Sequence, residues 1–160
     1  MDSIKLLGLI DEDFVNYKIP SMVLEFPYCD FKCGKKHCQN AKAITDEVLD
    51  VKIKTICERY KNNKISGAIV CQGMEPMDSF DELITFISVL RNEYGIMDDV
   101  VIYTGYYQGE LKKKGYYDKL KQFPNIVVKF GRYKPNEKQY FDPVLGVNLA
   151  SDNQYARRIS

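Results

Sequence analysis

Three cysteines and the only histidine of the chain lie within PYCDFKCGKKHCQN, residues 27–40. Cys29, Cys33 and Cys38 have the spacing C-x3-C-x4-C. Closely spaced thiolates are soft ligands that suit zinc or an iron–sulfur cluster. A structural zinc site normally takes four protein ligands, and His37 adjoins Cys38, so the two side chains would rarely reach one tetrahedral ion. The pattern therefore favours an iron–sulfur cluster with one coordination position left for a ligand from outside the protein, with a closed zinc site as the alternative.

The other two cysteines are predicted to be structural. Cys57 falls on the apolar face of a predicted helix, and Cys71 lies in the apolar run GAIVC. A cysteine in such surroundings behaves as a small buried hydrophobe. We therefore expect the metal ligands to come from residues 27–40 alone.

The composition is that of a folded protein, and it argues against nucleic acid and membranes as partners. The 160 residues are 45% hydrophobic and 28% charged, which suits a single domain with one core. The 23 basic and 22 acidic residues nearly balance, so nucleic acid and anionic membranes are not favoured. No apolar run approaches the roughly 20 residues of a membrane span, and the N-terminus lacks the basic region of a signal peptide. We expect a cytoplasmic protein, in which clustered thiols bind metal rather than form disulfides.

Alternating strand and helix patterns indicate an α/β fold. The runs that predict strands are 21–26, 67–71, 99–105 and 125–130. A helix between the first two is predicted to have its N-cap in 45–47 and the following apolar face: Leu49, Ile53, Ile56, Cys57 and Tyr60. A second helix is predicted to begin at Asp78 and end at Gly95, and a lysine-rich helical segment follows the third strand.

Nearly all-apolar strands joined by helices favour a parallel sheet with right-handed crossovers. We predict an open, mostly parallel sheet or a partial (β/α) barrel in one domain, because a closed eight-stranded barrel needs about 200 residues or more. The cysteine segment, QGMEP (72–76) and YTGY (103–106) each follow a predicted strand. Since parallel strands end at one edge of a sheet, these three loops are expected to converge there.

The cysteine segment resembles the cluster-binding loop of radical S-adenosylmethionine (SAM) enzymes, a C-x3-C-x2-C motif in which SAM chelates the unique iron. Cys38-Gln39-Asn40 resembles the Cys-x-Asn ending of that loop in glycyl-radical activating enzymes. The second gap has four residues here instead of two. His37 stands where the family usually has an aromatic residue near the SAM adenine. The alternative for His37 is a solvent-facing loop residue without a role.

Gly73-Met74-Glu75-Pro76 is similar to the Gly-Gly-Glu-Pro motif of the same family. The α-ammonium of SAM needs backbone carbonyls and a carboxylate at a strand end. Gly73 would let the backbone come close, Glu75 would supply the charge, and Pro76 would fix the turn. Met74 replaces a glycine, so we expect a backbone conformation open to side chains, with the thioether packed on the ligand. The alternative is a turn with a helix-start proline.

Tyr103-Thr104-Gly105-Tyr106 resembles a YTGY segment of the anaerobic ribonucleotide reductase activating proteins. The resemblance implies that Thr104 and Gly105 offer a hydroxyl and an approachable backbone to the ribose or carboxylate of SAM, whereas the alternative is a plain β-turn. Lys129, on the fourth predicted strand, is a candidate to meet the SAM carboxylate. A solvated strand-end lysine is the alternative there.

Residues 131–160 are predicted to line the site or the partner interface. The stretch 131–154 resembles the C-terminal segment of the same activating proteins, where a loop ends in Ser/Asn-x-Asn-Gln. The counterpart here is Ser151, Asp152, Asn153 and Gln154. Because the resemblance extends from about residue 14 to the end, we predict a single radical SAM domain over residues 1–160.

The resemblance implies a radical SAM oxidoreductase that activates anaerobic ribonucleoside-triphosphate reductase. Cys29, Cys33 and Cys38 would hold a [4Fe–4S] cluster that a flavodoxin or ferredoxin-type donor reduces. Reductive cleavage of SAM would give methionine and a 5′-deoxyadenosyl radical, which would take a hydrogen atom from a glycine of the reductase. The alternatives are a radical SAM enzyme acting on another peptide or small molecule, and a non-catalytic zinc-binding interaction module.

Overall fold

The computed structural model describes residues 1–28 and 47–160. Within these ranges the strands are β1 (Ser3–Leu6), β2 (Gly8–Asp13), β3 (Ser21–Phe26), β4 (Leu49–Lys52), β5 (Ala68–Gly73), β6 (Asp99–Tyr103), β7 (Ile126–Phe130), β8 (Tyr140–Asp142), β9 (Val147–Leu149) and β10 (Tyr155–Arg158). The helices are α1 (Ile53–Asn62), α2 (Phe80–Asn92), α3 (Gln108–Lys113) and α4 (Tyr116–Lys121), and a 3-10 helix at Pro76–Ser79 precedes α2.

The central sheet is mixed, with the strand order β10-β7-β6-β5-β3-β2. The four inner strands run parallel, while β2 pairs with β3 and β10 pairs with β7 in the antiparallel sense. Two smaller antiparallel pairs, β1 with β4 and β8 with β9, lie outside this sheet. The described chain is therefore an α/β protein with a mixed sheet. A partial barrel of the radical SAM type stays a prediction.

The predicted strands agree with β3, β5, β6 and β7, but the first helix begins later than its periodicity predicted. Leu49 was expected on the apolar helix face and instead belongs to β4, where it is 47% exposed. The helix begins at Ile53, whose amide donates to the Asp2 carbonyl at 2.9 Å. Pairing with β1 gives residues 49–52 the backbone hydrogen bonds that a helical turn would otherwise supply. This pairing, and not the local periodicity, determines that these residues form a strand. Thr45 and Asp46 of the predicted N-cap lie outside the described residues.

The predicted start of the second helix at Asp78 is also wrong. The 3-10 helix Pro76–Ser79 comes first, and the carboxylate of Glu75 caps it by accepting from the Met77 amide at 3.0 Å. Asp78 is in the interior of this short helix, and its carboxylate accepts from the Tyr106 hydroxyl at 2.6 Å. The N-cap of α2 itself is Ser79, one residue after Asp78, and its side chain forms no capping hydrogen bond.

The sheet separates two apolar clusters, as strand alternation requires. Helices α1 and α2 pack on one face, over buried side chains that include Phe26, Phe86 and Phe130. On the other face the following residues form a fully buried valine row: Val23, Val70, Val101 and Val127. Tyr17 from the β2–β3 loop and Leu145 and Leu149 from the β8–β9 hairpin cover that row. This second sheet face is thus packed by the chain's own residues.

Both structural cysteines lie in the core, as predicted. Cys57 and Cys71 are free thiols at 0% exposure in the helix-side cluster. Burial raises the pKa of both thiols, to about 12 for Cys57, so both stay protonated at neutral pH. Among the described residues, no helix is both long enough and apolar enough to cross a bilayer.

Candidate functional site

The carboxyl ends of β3, β5 and β6 lie side by side at one edge of the parallel strands. Phe26 ends β3 three residues before Cys29 in the sequence, and it stands opposite Gly73 in the parallel register. Its carbonyl accepts a hydrogen bond from the Met74 amide at 2.8 Å. Thr104 begins the loop after β6. The predicted convergence of the QGMEP and YTGY loops at one edge is therefore present in the structure.

Gly73 occupies a backbone position that a side chain would not tolerate. Its φ is +101°, in the region that favours glycine. A Cβ at this position would lie 2.6 Å from the Phe26 nitrogen and 2.7 Å from the Phe26 oxygen. The structure therefore explains this glycine by its close approach to the β3 backbone, and the predicted approach of Gly73 to SAM stays a prediction.

The carboxylate of Glu75 ties the β5 loop to the β6 loop. Its Oε1 accepts from the Gly105 amide at 2.8 Å. Its Oε2 accepts from the Thr104 hydroxyl at 2.8 Å and from the Met77 amide at 3.0 Å. Thr104 Oγ1 in turn accepts from the Tyr106 amide at 3.1 Å, so its proton and one of its two acceptor positions are used within the protein. We call this set of contacts the Glu75 clamp.

The Glu75 clamp lies in the protein interior. Glu75 is 4% exposed and Thr104 is 1% exposed. Burial raises the pKa of the Glu75 carboxyl to about 7, because the three donors and their hydrogen bonds offset only part of the lost hydration. A carboxylate offers about four acceptor positions, and the clamp uses three of them. Among the described residues, these three are the donors that reach the carboxylate.

The shifted pKa of Glu75 predicts a pH-dependent stability. In the folded chain this carboxyl keeps its proton up to pH about 7, against an ordinary value of 4.5. Its contribution to stability is therefore fully present below about pH 4.5 and is lost as the pH rises through about 7. Between roughly pH 5 and 8 we expect the unfolding free energy of the wild type to fall relative to Glu75→Gln, by about 3 kcal/mol at most. Urea unfolding of both proteins across this range measures the difference, and a difference independent of pH would contradict the assignment.

Lys129 is buried, which corrects the alternative of a solvated strand-end lysine. It is 6% exposed on β7, and its Nζ donates to the Gly131 carbonyl at 3.1 Å. The same Nζ lies 5.8 Å from the centre of the Tyr103 ring. A buried ammonium needs such partners because desolvation disfavours its charge. Met74, which replaces a glycine of the family motif, is half-buried. Its φ is not positive, as expected for a residue with a side chain.

The C-terminal Ser151–Gln154 segment is bound at the same edge and is not an open surface loop. Ser151 is 0% exposed and Gln154 is 6% exposed. Gln154 Nε2 donates to the Gly131 carbonyl at 3.2 Å, at the end of β7. Asn153 Nδ2 donates to the Arg132 carbonyl at 2.7 Å. The amide-rich composition of this segment serves buried hydrogen bonds, because polar side chains replace the missing backbone partners of two adjoining turns. The predicted role in lining the site or the partner interface stays a prediction.

Tyr107 and Glu110 are participants that the sequence did not single out. The Tyr107 hydroxyl accepts from Asn153 Nδ2 at 2.9 Å, and its ring lies 5.2 Å from the guanidinium carbon of Arg132. The same guanidinium donates to Glu110 Oε2 at 2.6 Å. These contacts join the loop after β6 to the turn after β7. In the sequence, the only signal for this role was the pair of aromatic and acidic residue types in YYQGE after the third strand. Hydrophobic periodicity does not predict which partners such side chains contact.

The remaining predicted site residues lie outside the described residues: Cys29, Cys33, His37, Cys38, Gln39 and Asn40. Within residues 1–28 and 47–160, no group of three or more histidine, cysteine, aspartate or glutamate side chains could hold a metal ion. The described part of the chain therefore offers no competing metal site.

A family model described as a 4Fe-4S single cluster domain matches residues 21–154. The match begins at the first residue of β3 and includes the whole carboxyl edge and the Ser151–Gln154 segment. The chain therefore belongs to the 4Fe-4S single cluster domain family, and its cofactor is an iron–sulfur cluster. Membership is compatible with a redox enzyme. No curated protein and no solved structure matches the chain.

Proposed function

We propose that this iron–sulfur protein is a radical SAM activase that generates a glycyl radical on anaerobic ribonucleoside-triphosphate reductase. The observation that carries the proposal is the Glu75 clamp, which joins two loops that separately resemble SAM-contacting motifs. If the two short motifs resembled the family only by chance, there would be no reason for their loops to share a buried carboxylate. Their contact at the carboxyl edge, beside the strand that leads to the cysteines, supports a common site.

Cys29, Cys33 and Cys38 are the ligands that we assign to the cluster. The chain has five cysteines, and Cys57 and Cys71 are buried in the core as protonated thiols. Thiolates are the usual ligands of a [4Fe–4S] cluster, so the three remaining cysteines fit the family's cofactor. Three thiolates leave one iron for an exogenous ligand, and we assign SAM to that position.

The described residues would orient SAM in distinct ways. Glu75 has one acceptor position that the described donors leave for the α-ammonium, while its other contacts keep the β5 and β6 loops in register. The ionised carboxylate would bind an ammonium better than the neutral acid, since opposite charges attract strongly in a buried site. The Thr104 hydroxyl and the Gly105 amide both donate to Glu75 within the clamp, so we assign both groups to positioning and leave direct contact with SAM to the Gly105 carbonyl. The ammonium of Lys129 would set the positive potential at the end of β7.

The cluster that Cys29, Cys33 and Cys38 would hold would supply the one electron needed to divide SAM into methionine and a 5′-deoxyadenosyl radical, which would take a hydrogen atom from a glycine of the reductase. The packed second face of the sheet favours a macromolecular substrate. Tyr17, Leu145 and Leu149 fill the space over the valine row, so a small molecule would find no pocket on that part of the face. A glycine loop presented by a partner protein would instead be received at the carboxyl edge of the strands.

The proposal predicts a SAM-dependent change in the spectrum of the reduced cluster. Electron paramagnetic resonance on the anaerobically reconstituted, dithionite-reduced protein should show a [4Fe–4S] signal that changes shape when SAM is added. Chromatography should then detect 5′-deoxyadenosine, and adding the reductase should give a glycyl radical signal. Zinc in place of iron, with no SAM binding, would overturn the proposal in favour of an interaction module. Cleavage of SAM with no radical on the reductase would overturn the choice of partner.

A further inference from the structure

We infer that the lysine-rich surface formed by α3 and α4 is the docking site for an acidic protein that donates single electrons to the cluster. We define this lysine surface by its five exposed members: Lys112, Lys113, Lys114, Lys119 and Lys121. The inference rests on the proposed function, since it names the partner that supplies the electron for SAM cleavage.

The charge of this surface is out of proportion to that of the whole protein. Residues 108–122 carry five lysines and two acidic residues, a local charge of +3, whereas the entire chain carries only +1. One of the two acids, Glu110, already binds Arg132. Among the described residues, none of the five lysines forms an ion pair. The positive charge therefore faces solvent without compensation and is available to an acidic partner.

Aromatic rings hold part of the lysine surface in place. Lys112 Nζ lies 5.0 Å from the centre of the Tyr117 ring. Lys114 Nζ lies 5.5 Å from the Tyr106 ring and 5.8 Å from the Tyr116 ring. Cation–π contacts of this kind restrict flexible side chains before a partner arrives. Less side-chain entropy is then lost on docking, which favours a defined encounter surface over a diffuse one.

Two contacts place the lysine surface beside the candidate site. Tyr116 stacks on Phe80, the first residue of α2, with ring centres 3.8 Å apart. Tyr106, which Lys114 overlies, donates its hydroxyl to Asp78 three residues after Glu75 in the sequence. The turn between α3 and α4 therefore adjoins the loop of the Glu75 clamp. A protein docked there would bring its own redox centre close to the edge where the cysteine segment begins.

The electron balance requires such a partner. Each reduction adds one electron to the oxidised cluster and removes one from the donor, and no group in the described chain can supply electrons repeatedly. An acidic one-electron carrier would be steered to a cationic surface, with an association rate that falls steeply as salt screens the charges. The encounter must also be short-lived, because the oxidised donor has to leave, and electrostatic steering gives speed without tight binding.

Charge reversal on the lysine surface tests the inference. We compare the triple variant Lys112→Glu, Lys113→Glu and Lys121→Glu with the reconstituted wild-type protein. The matched control reverses three exposed lysines in and just after α1, namely Lys54, Lys61 and Lys64, and changes the net charge equally. Stopped-flow absorbance follows cluster reduction by photoreduced flavodoxin, an acidic one-electron carrier, at low and at moderate salt.

The lysine-surface variant should be reduced by flavodoxin about tenfold more slowly than the wild type at low salt, and the gap should close as salt is added. The α1 control should lose much less, and dithionite should reduce all three proteins to the same extent. Equal rates for wild type and variant, or an equal loss in the control, would overturn the inference. The inference would also be overturned if the lysine-surface variant were defective only in activating the reductase with dithionite as the reductant. That result would assign the lysine surface to the reductase and not to the electron donor. Absence of 5′-deoxyadenosine in all three proteins would instead refute the proposed function.

Discussion

Alanine in place of Cys29, Cys33 or Cys38 is expected to abolish assembly of the [4Fe–4S] cluster. Each substitution leaves only two thiolates in the segment, and a cluster with three protein ligands and one exogenous ligand does not tolerate that loss. Iron and sulfide analysis after anaerobic reconstitution, together with visible absorption, should fall from about four irons per chain to a background level. This is the largest effect that we predict for a single substitution.

The matched controls are Cys57→Ala and Cys71→Ala, which remove buried thiols from the helix-side core. Both variants should bind iron like the wild type. Their cost should appear only in stability, at about 1–2 kcal/mol, because a small cavity replaces the sulfur. A folded Cys57→Ala protein without a cluster would show that the ligand assignment is wrong.

Gly73→Ala is expected to destabilise the folded chain by about 3–5 kcal/mol. The new Cβ would lie well inside contact distance of the Phe26 backbone, at a φ that side chains rarely adopt. Relief requires β3 and β5 to move apart where they are paired in register. That movement would also shift Glu75 relative to Thr104, so we expect weaker SAM binding as well. Urea unfolding measures the first effect, and SAM binding to the reduced protein measures the second.

Gly109→Ala provides the control for this prediction. Gly109 lies in α3, and a Cβ there would meet no atom within 4 Å. The change should leave the protein as stable as the wild type or stabilise it by about 0.5–1 kcal/mol, because alanine favours a helix. If Gly73→Ala were equally benign, the close approach of the β5 end to Phe26 would be incorrect.

Residues that match a ligand-contacting motif can also hold the site together. Glu75, Thr104 and Gly105 resemble ligand-contacting positions, yet in the described structure they mainly bind one another. A ligand at this edge would therefore meet a framework already held by internal hydrogen bonds. Such preorganisation means that little conformational entropy is lost on binding. Substitutions at Thr104 should consequently act on SAM affinity through the position of Glu75.

Local patterns in the sequence were enough to predict four of the strands and the core position of two cysteines. Four apolar runs located β3, β5, β6 and β7, because a strand buried on both faces must be apolar throughout. Cys57 and Cys71 were placed in the core from their apolar surroundings. The cysteine spacing indicated an iron–sulfur cluster, and the family match over residues 21–154 supports that cofactor.

Features that depend on partners far away in the sequence could not be predicted in this way. Leu49 joined a strand because β1, more than forty residues earlier, offered its backbone hydrogen bonds. The second helix started after a 3-10 turn because Glu75 found donors in Thr104 and Gly105, almost thirty residues away. Lys129 and Gln154 were buried because the turn at Gly131 needed hydrogen-bond partners. Periodicity records which residues are apolar, whereas the satisfaction of buried polar groups depends on which segments the fold brings together.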